Sequence, residues 1–301
     1  MDLKQLRSVE AVARHRHFTR AANELYLAQS ALSHQIRQLE RELGTPLFER
    51  TSRRVVVTEA GQAIAARARR IIAELDGAHA DVDALRGVLR GRIWIGALLP
   101  AGGIDVPELL ARFSRSHPGV EVGLREGIAA DMLSLLATDD LDAAFCLLAG
   151  DPPAEFATHP LSHDEPVAAF APGRAPPGSR VAAADLAGTT LVAPRRGSAI
   201  TSVVEQRFAD AGQPLRLALE SGDPFLLRLL AARGFATAIL PRSLATLDGP
   251  PVAVCRLDPP ARLPLVLAWR RSRAVPPAAR AFIDFVRHDS PEAQGTPAVS
   301  R

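Results

Sequence analysis

The chain is predicted to be an α/β protein of three successive parts: an all-α N-terminal module closed by a short hairpin, one long helix, and a two-lobed α/β remainder. Three observations predict it. Apolar residues recur at helical spacing through residues 1–89, Val55-Val56-Val57 interrupts them with strand formers, and from Ile93 onward strand-like runs alternate with amphipathic helices. A length of 301 residues suits more than one compact unit, and 47% hydrophobic residues suffice for real cores.

The first part spans residues 1–58. Leu3, Leu6, Val9 and Ala13 mark a first amphipathic helix; Thr19 stands where an N-cap belongs, and Ala21, Ala22 and Leu25 supply a short second helix. In the third, Leu32, Ile36, Leu39 and Leu43 recur at spacings of 4, 3 and 4, one apolar stripe facing a core. Its first turn and opposite face carry Gln29, Ser30, Ser33, His34, Arg37 and Arg41 in place of the Glu/Lys mix of a solvated helix. Such groups reach base edges and phosphates. An ordinary amphipathic helix shows the same stripe, but three helices in so short a span make a helix-turn-helix unit. Gly44 and Pro46 break the third helix, Val55 to Val57 favour a strand, and Arg53 and Arg54 fall at the tip of a hairpin able to touch phosphate or the minor groove.

On Phe18, Ala21, Ala22, Leu25, Gln29, Ala31, Leu32, Ser33, Ile36, Leu39, Glu40, Leu43, Gly44, Leu47, Phe48, Arg50, Thr58 and Gly61, residues 1–58 resemble the winged helix-turn-helix of LysR-type transcriptional regulators. The resemblance implies that Gln29, Ser30 and Ser33 approach bases at the head of a recognition helix, with His34 and Arg53 assisting. Two positions depart from the family pattern: Ser30 stands where Pro is frequent, and His34 where Arg or Lys is. A neutral imidazole weakens a phosphate or guanine contact, and protonation at lower pH strengthens it.

The net charge of +3 is unevenly spread: residues 1–58 carry +4, residues 59–90 carry 0, and the remainder carries −1. That fits a DNA-binding module on a near-neutral globular part better than a uniformly basic RNA binder. Of the 36 cations only Lys4 is a lysine, which leaves a Schiff-base or lysine-base enzyme almost nowhere to place its catalyst. No basic-then-apolar leader opens the chain and no run is long enough to cross a bilayer, so a cytoplasmic protein is expected.

Thr58 can cap a helix starting at Glu59. Within it Ile64, Ala68, Ile71, Leu75, Ala78, Val82, Leu85 and Leu89 recur at alternating spacings of 4 and 3, a near-unbroken heptad. A continuous helix to Leu89 is roughly 45 Å long, too long for one small domain to cover. Packing against its own chain is one use for the seam. Pairing with a second copy explains more, because it sets two recognition helices at successive major-groove faces. The family resemblance implies the same linker-helix dimer over residues 59–90, with Gly91 ending the helix.

Beyond it, strands are expected at 93–97, 120–124 and 143–148 with helices at 106–116 and 131–137 between them, the rhythm of a parallel sheet covered on both faces. A second unit follows, with strands at 166–171, 190–193, 215–220, 236–240 and 252–257 and helices at 201–211 and 225–232. Strand 263–269 and helix 276–288 return to the first. Two α/β lobes with two crossings are similar to the regulatory domain of the family, itself like a periplasmic solute-binding protein. Lobe I is set at about 91–163 and 264–288 and lobe II at about 164–263, making an effector-binding domain of 91–288, followed by a disordered tail at 289–301.

A small molecule belongs between the lobes, at the carboxyl ends of the strands. The expected walls are Leu98, Leu99, Pro100, Ala101, Gly102 and Gly103, then Gly127, Ile128 and residues 146–148, facing residues 195–201 and a turn at Gly222. Many family members place Ser or Thr after the first strand to hold an effector carboxylate; this chain has Leu99 and Pro100. Asp105 and Glu108 have capping-box spacing, so that helix end is filled by its own carboxylate. Any anionic group is therefore expected at Arg195, Arg196, Gly197 and Ser198, ahead of a helix starting near Ala199, unless both arginines are solvated loop charges.

No metal and no cofactor is expected. His159 and His163 are four apart, but Pro160 argues for a loop, and Asp139, Asp140 and Asp142 read as a helix terminus. No phosphate loop, dinucleotide fingerprint, paired-cysteine motif or nucleophile elbow is present. Cys146 and Cys255 lie in apolar strand-like runs and read as buried free thiols. Peroxide sensing by a cysteine pair in the distal subdomain, known in some of the family, is not supported, since only Cys255 falls there.

These readings converge on a ligand-responsive transcription factor. Its expected partners are double-stranded DNA with an inverted-repeat operator, a small-molecule effector, RNA polymerase and a second or further copies of itself, as homodimer or homotetramer, with no membrane. Two other readings stay open: an α/β enzyme with an appended DNA-binding segment, opposed by the missing lysines and motifs, and a DNA binder with no effector.

Overall fold

The computed structural model describes residues 1–50, 55–85, 89–98, 102–271 and 275–289. Its packing divides into two units, Met1–Gly91 with Thr138–Asp140, and Arg92–Ala137 with Leu141–Arg301.

In the first unit α1 (Leu3–His15), α2 (Phe18–Glu24) and α3 (Gln29–Leu43) close over Val9, Val12, Phe18, Ala21, Ala22, Leu32, Ile36 and Leu39. Asp2 starts α1 through a reciprocal capping box: its Oδ1 accepts from Gln5 N, and Gln5 Oε1 accepts from Asp2 N, both at 2.8 Å. The N-cap of α2 is His17, not Thr19. The helix starts early because Phe18 is itself core, set edge-on to Phe48 with ring centroids 5.9 Å apart. Gly44 ends α3 in the left-handed conformation, φ +70°.

Strands β1 (Phe48–Arg50) and β2 (Val55–Val57) form the expected antiparallel hairpin, whose tip, with Arg53 and Arg54, lies outside the described residues. Helix α4 (Glu59–Leu85) begins on Thr58, whose Oγ1 accepts from Gly61 N at 3.0 Å and donates to Pro46 O at 2.8 Å. Only glycine fits at 61, since a Cβ there would strike Leu47 O and the Val57 side chain. Leu89 and Arg90 are not helical, and Gly91, at φ 137°, opens a strand instead of ending a helix.

The second unit holds two sheets. Lobe I orders its strands β4 (Val120–Glu126), β3 (Gly91–Ala97), β5 (Ala143–Leu147), β13 (Leu263–Arg270), β6 (Phe156–Asp164), with α5 (Val106–Ser116), α6 (Ala129–Ala137) and α11 (Pro277–Asp289). Lobe II orders β10 (Leu217–Ser221), β9 (Leu191–Pro194), β11 (Thr237–Pro241), β7 (Pro166–Phe170), β12 (Ala253–Asp258), β8 (Arg180–Ala182), with α7 (Ala183–Leu186), α8 (Ala199–Asp210), α9 (Pro224–Ala232) and α10 (Arg242–Ala245).

Both sheets are mixed, which corrects the parallel-sheet expectation. β13 runs antiparallel to β5 and β6, and β7 antiparallel to β11 and β12. These are the strands delivered by the two crossings between lobes, and each enters its sheet from the opposite end. β6 is a second correction, a nine-residue strand where Pro160 suggested a loop. It sits at the sheet edge, where proline's missing N–H breaks little of the ladder, and its register shifts beside that proline. Among the described residues no helix is long and apolar enough to cross a membrane.

Candidate DNA-reading helix and interlobe cleft

The apolar stripe of α3 fixes which face is left over. Leu32, Ile36 and Leu39 are fully buried, whereas Leu43 is 37% exposed, so the stripe is one residue shorter than its spacing suggests. Gln29, Ser30, His34, Arg37 and Arg41 stand exposed. Ser33 departs from them: it is 4% exposed and accepts at 3.4 Å from Gln29 Nε2, holding the glutamine from inside the helix. The N-cap is Ala28, which offers no side-chain acceptor, and the first turn has no acidic residue. The first amides of α3, at the positive end of its dipole, are thus open to an anion. Glu40 faces the other way, its Oε1 accepting from Leu47 N at 2.8 Å and Phe48 N at 3.2 Å, which ties the hairpin to α3.

The α4 seam splits in two. Ile64 packs beside the first unit's core and Ala68 is fully buried, while Ile71, Leu75 and Val82 are 42%, 38% and 50% exposed. Leu85 ends the described helix and Leu89 lies beyond it. Aligned on one helix face, these exposed aliphatic side chains form an apolar strip that a second surface could cover.

In the second unit, a cleft opens between the lobes at the ends of β3 and β9. Leu98, Gly102, Ile128, Phe145, Leu147 and Leu265 line it from lobe I, and Pro194, Ser198, Ser221 and Pro241 from lobe II. It is narrow: the centre of a water molecule can range over about 40 Å³ of it, room for a few waters. Gly102, at φ +51°, lets the chain pass Leu265 and accept from Ser162 Oγ at 2.7 Å. Alternation along β5 turns Phe145 and Leu147 to the cleft and packs Cys146 and Leu148 in the cluster of Met132 and Leu136, so of the expected 146–148 wall Leu147 stays, Cys146 and Leu148 leave it, and Phe145 joins it. Gly127 lies beside Ile128 but against Met132 and Asp131. Leu99, Pro100 and Ala101 are outside the described residues.

Ser198 lines the cleft and caps α8: its Oγ accepts from Thr201 N at 3.1 Å and donates to Thr201 Oγ1 at 2.9 Å. Arg196 departs from the expected effector-facing role, because Glu220 at 3.0 Å and Glu205 at 2.6 Å bind it within lobe II. Arg195 reaches across the cleft mouth to Asp131 at the start of α6, with Nη2 3.0 Å from Oδ2. Asp105 caps α5 through Glu108 N at 2.9 Å, but the Glu108 carboxylate pairs with Arg115 instead of closing a capping box.

Residues 3–62 match the family model of the bacterial regulatory helix-turn-helix protein, lysR family, and residues 86–291 that of the LysR substrate binding domain. The chain belongs to the LysR family of transcriptional regulators. This LysR-family regulator is 32% identical over 292 residues, 95% of each chain, to the RuBisCO operon transcriptional regulator of Allochromatium vinosum. Its fold is similar to that of a full-length OxyR variant from Pseudomonas aeruginosa, at TM-score 0.72 and 23% identity over 100% of this chain and 99% of that one. It is also similar to full-length CbnR complexed with its target DNA, at TM-score 0.66 and 25% identity over 96% and 100% of the two chains. A DNA-binding helix-turn-helix therefore precedes an effector-binding domain.

Three features of the LysR-family cleft escaped sequence reasoning. Phe145 was hidden by the two-residue period of a strand buried on both faces. Asp164, 6% exposed and bound by Ser243 Oγ at 2.6 Å, lies in the strand that Pro160 disguised. The Arg195–Asp131 bridge joins residues 64 apart in sequence, and an acidic first-turn residue is too common to signal it. Both cysteines are buried; burial pushes the Cys146 thiol up to about 12 and raises that of Cys255, so neither offers much reactive thiolate.

Proposed function

We propose that this regulator binds an inverted-repeat operator as a homo-oligomer, with α3 in the major groove and the α3 of a second copy on a successive face, and that a small molecule in the interlobe cleft sets its activity. The face of α3 carries the reading: Gln29, Ser30, His34 and Arg37 stand exposed around an uncapped, acid-free helix start. Gln29 and Ser30 read base edges, His34 and Arg37 meet the backbone or a neighbouring base, and Ser33 positions Gln29. Arg53 and Arg54 extend the footprint from the hairpin tip.

In this reading residues 1–58 read DNA, 59–90 join two copies, and 91–288 hold the effector. The α4 stripe of Ile71, Leu75 and Val82 supports the first self-interface. Phe225, Leu226 and Leu229 on α9, with Phe235, are 39–57% exposed and support a second. Two separate self-complementary faces favour a dimer of dimers over a lone dimer. The effector is small and largely apolar, with a hydrogen-bonding end toward Ser198, and its entry breaks the Arg195–Asp131 bridge. The chain acts in the cytoplasm by binding, without a chemical step, and passes its state to RNA polymerase.

Genome-wide footprinting of the full-length protein tests the reading. Paired half-sites in successive major grooves are expected, and the neighbouring genes name the effector's pathway. Protection of single half-sites, or of no particular sequence, would contradict it.

A further inference from the structure

A second cavity of the effector-binding unit lies where the chain crosses between lobes, and its chemistry is the reverse of the apolar cleft. His163 and Glu165 border it from the first crossing, Arg242 from α10, Arg256 from β12 and Arg262 from the second crossing. The centre of a water molecule can range over about 330 Å³ of it, against about 40 Å³ in the cleft.

Its charges are arranged in layers. The Glu165 side chain is only 9% exposed and accepts from Arg242 Nη1 at 2.6 Å and from Arg256 Nη2 and Nε at 2.7 and 3.2 Å. The two guanidiniums are 52% and 44% exposed, so their unspent N–H groups are open to the cavity. Asp164 does not draw on them, since its oxygens accept from Ser243 Oγ at 2.6 Å, Ser243 N at 3.2 Å and Glu165 N at 2.8 Å. Arg262 is exposed and has no ion-pair partner among the described residues. Three guanidiniums thus border a space whose two carboxylates are already spoken for.

We propose that this cavity is an oxyanion site for a small molecule bearing a phosphate-type dianion, distinct from the interlobe effector cleft. Arg262 supplies a free planar fork, and Arg242 and Arg256, aligned from behind by Glu165, supply further donors. Because Arg242 and Arg256 are anchored on Glu165 of the first crossing and Arg262 lies on the second, an anion bridging these guanidiniums ties the crossings together and restricts the hinge between lobes.

Isothermal titration of the full-length protein with pyrophosphate, at constant ionic strength, tests the site. One saturable event per chain is expected, weakened about tenfold or more in Arg262→Gln and unchanged in Arg195→Gln and Arg37→Ala. Circular dichroism checks that each variant is folded. Absence of saturable binding, or an unaltered affinity in Arg262→Gln, would overturn the proposal. So would loss of binding in Arg195→Gln, which would move the anion to the cleft, or in Arg37→Ala, which would move it to the DNA-reading face.

Discussion

Replacing Ile71 by Asp tests the pairing of α4 helices. Ile71, Leu75 and Val82 are 42%, 38% and 50% exposed in the single chain. Full burial of an aliphatic side chain stabilises by ~1.5–3 kcal/mol, so covering one that is half exposed contributes ~1 kcal/mol. Three such residues on each of two helices give ~6 kcal/mol before the cost of association is subtracted. Asp at 71 removes ~2 kcal/mol across the pair and sets two carboxylates opposite each other in an apolar seam, at a further cost of ~2 kcal/mol or more. At ~1.4 kcal/mol per factor of ten, the assembly step that α4 mediates weakens about a thousandfold. Sedimentation equilibrium reads that step. The far-UV spectrum should not change, since residue 71 is not core in the single chain. Wild-type association in both Ile71→Asp and Leu75→Asp would refute the pairing.

Two stability predictions follow from the first unit. Gly61→Ala drives a Cβ into Leu47 O and Val57; overpacking of this kind costs ~2 kcal/mol, lowering the unit's melting temperature by on the order of 10 °C in a thermal scan. Gly77→Ala, in the same helix with open space around it, is the opposite-sign control and gains up to ~1 kcal/mol. The Arg14 hydrogen bond, with His15 adding and burial opposing, holds the Glu24 carboxyl at about 2, below its ordinary 4.5. Its stabilisation is therefore complete above about pH 4.5 and is lost as pH falls toward 2. With Glu24 and Arg14 42% and 37% exposed, Glu24→Gln costs under ~1 kcal/mol at pH 7. Urea unfolding at pH 7 and pH 3 should show the gap between wild type and variant narrowing at the lower pH, and a gap that widens there would rule out the pair as its source.

Much of the fold is legible because its elements are long enough to show a period. The stripe of Leu32, Ile36 and Leu39 marks α3, Gly44 marks its end, and α5 is readable from Val106 to Ser116. What stays hidden is either short or non-local. β8, α7 and α10 have three or four residues each, less than one repeat of any pattern. Strand direction in β7 and β13 depends on lobe crossings that no local signal encodes, and Pro160 is a loop residue by propensity but an edge-strand residue by position.

The candidate sites divide in the same way. The exposed face of α3 follows from what its apolar stripe leaves over, so Gln29, Ser30, His34 and Arg37 could be named in advance. The burial of Ser33 is finer than a helical wheel resolves. Arg195 and Arg196 looked alike in sequence, and only tertiary carboxylates separate them: Glu205 and Glu220 hold one within lobe II, and Asp131 draws the other across the cleft.

The central claim, that α3 reads base sequence through Gln29, is tested most directly by fluorescence anisotropy of wild type and Gln29→Ala on operator and scrambled duplexes at matched salt. Loss of a bidentate base contact costs ~1–3 kcal/mol. Gln29→Ala should therefore bind the operator about tenfold or more weakly while its affinity for scrambled duplex is unaltered. Equal weakening on both duplexes, or none on either, would contradict the account.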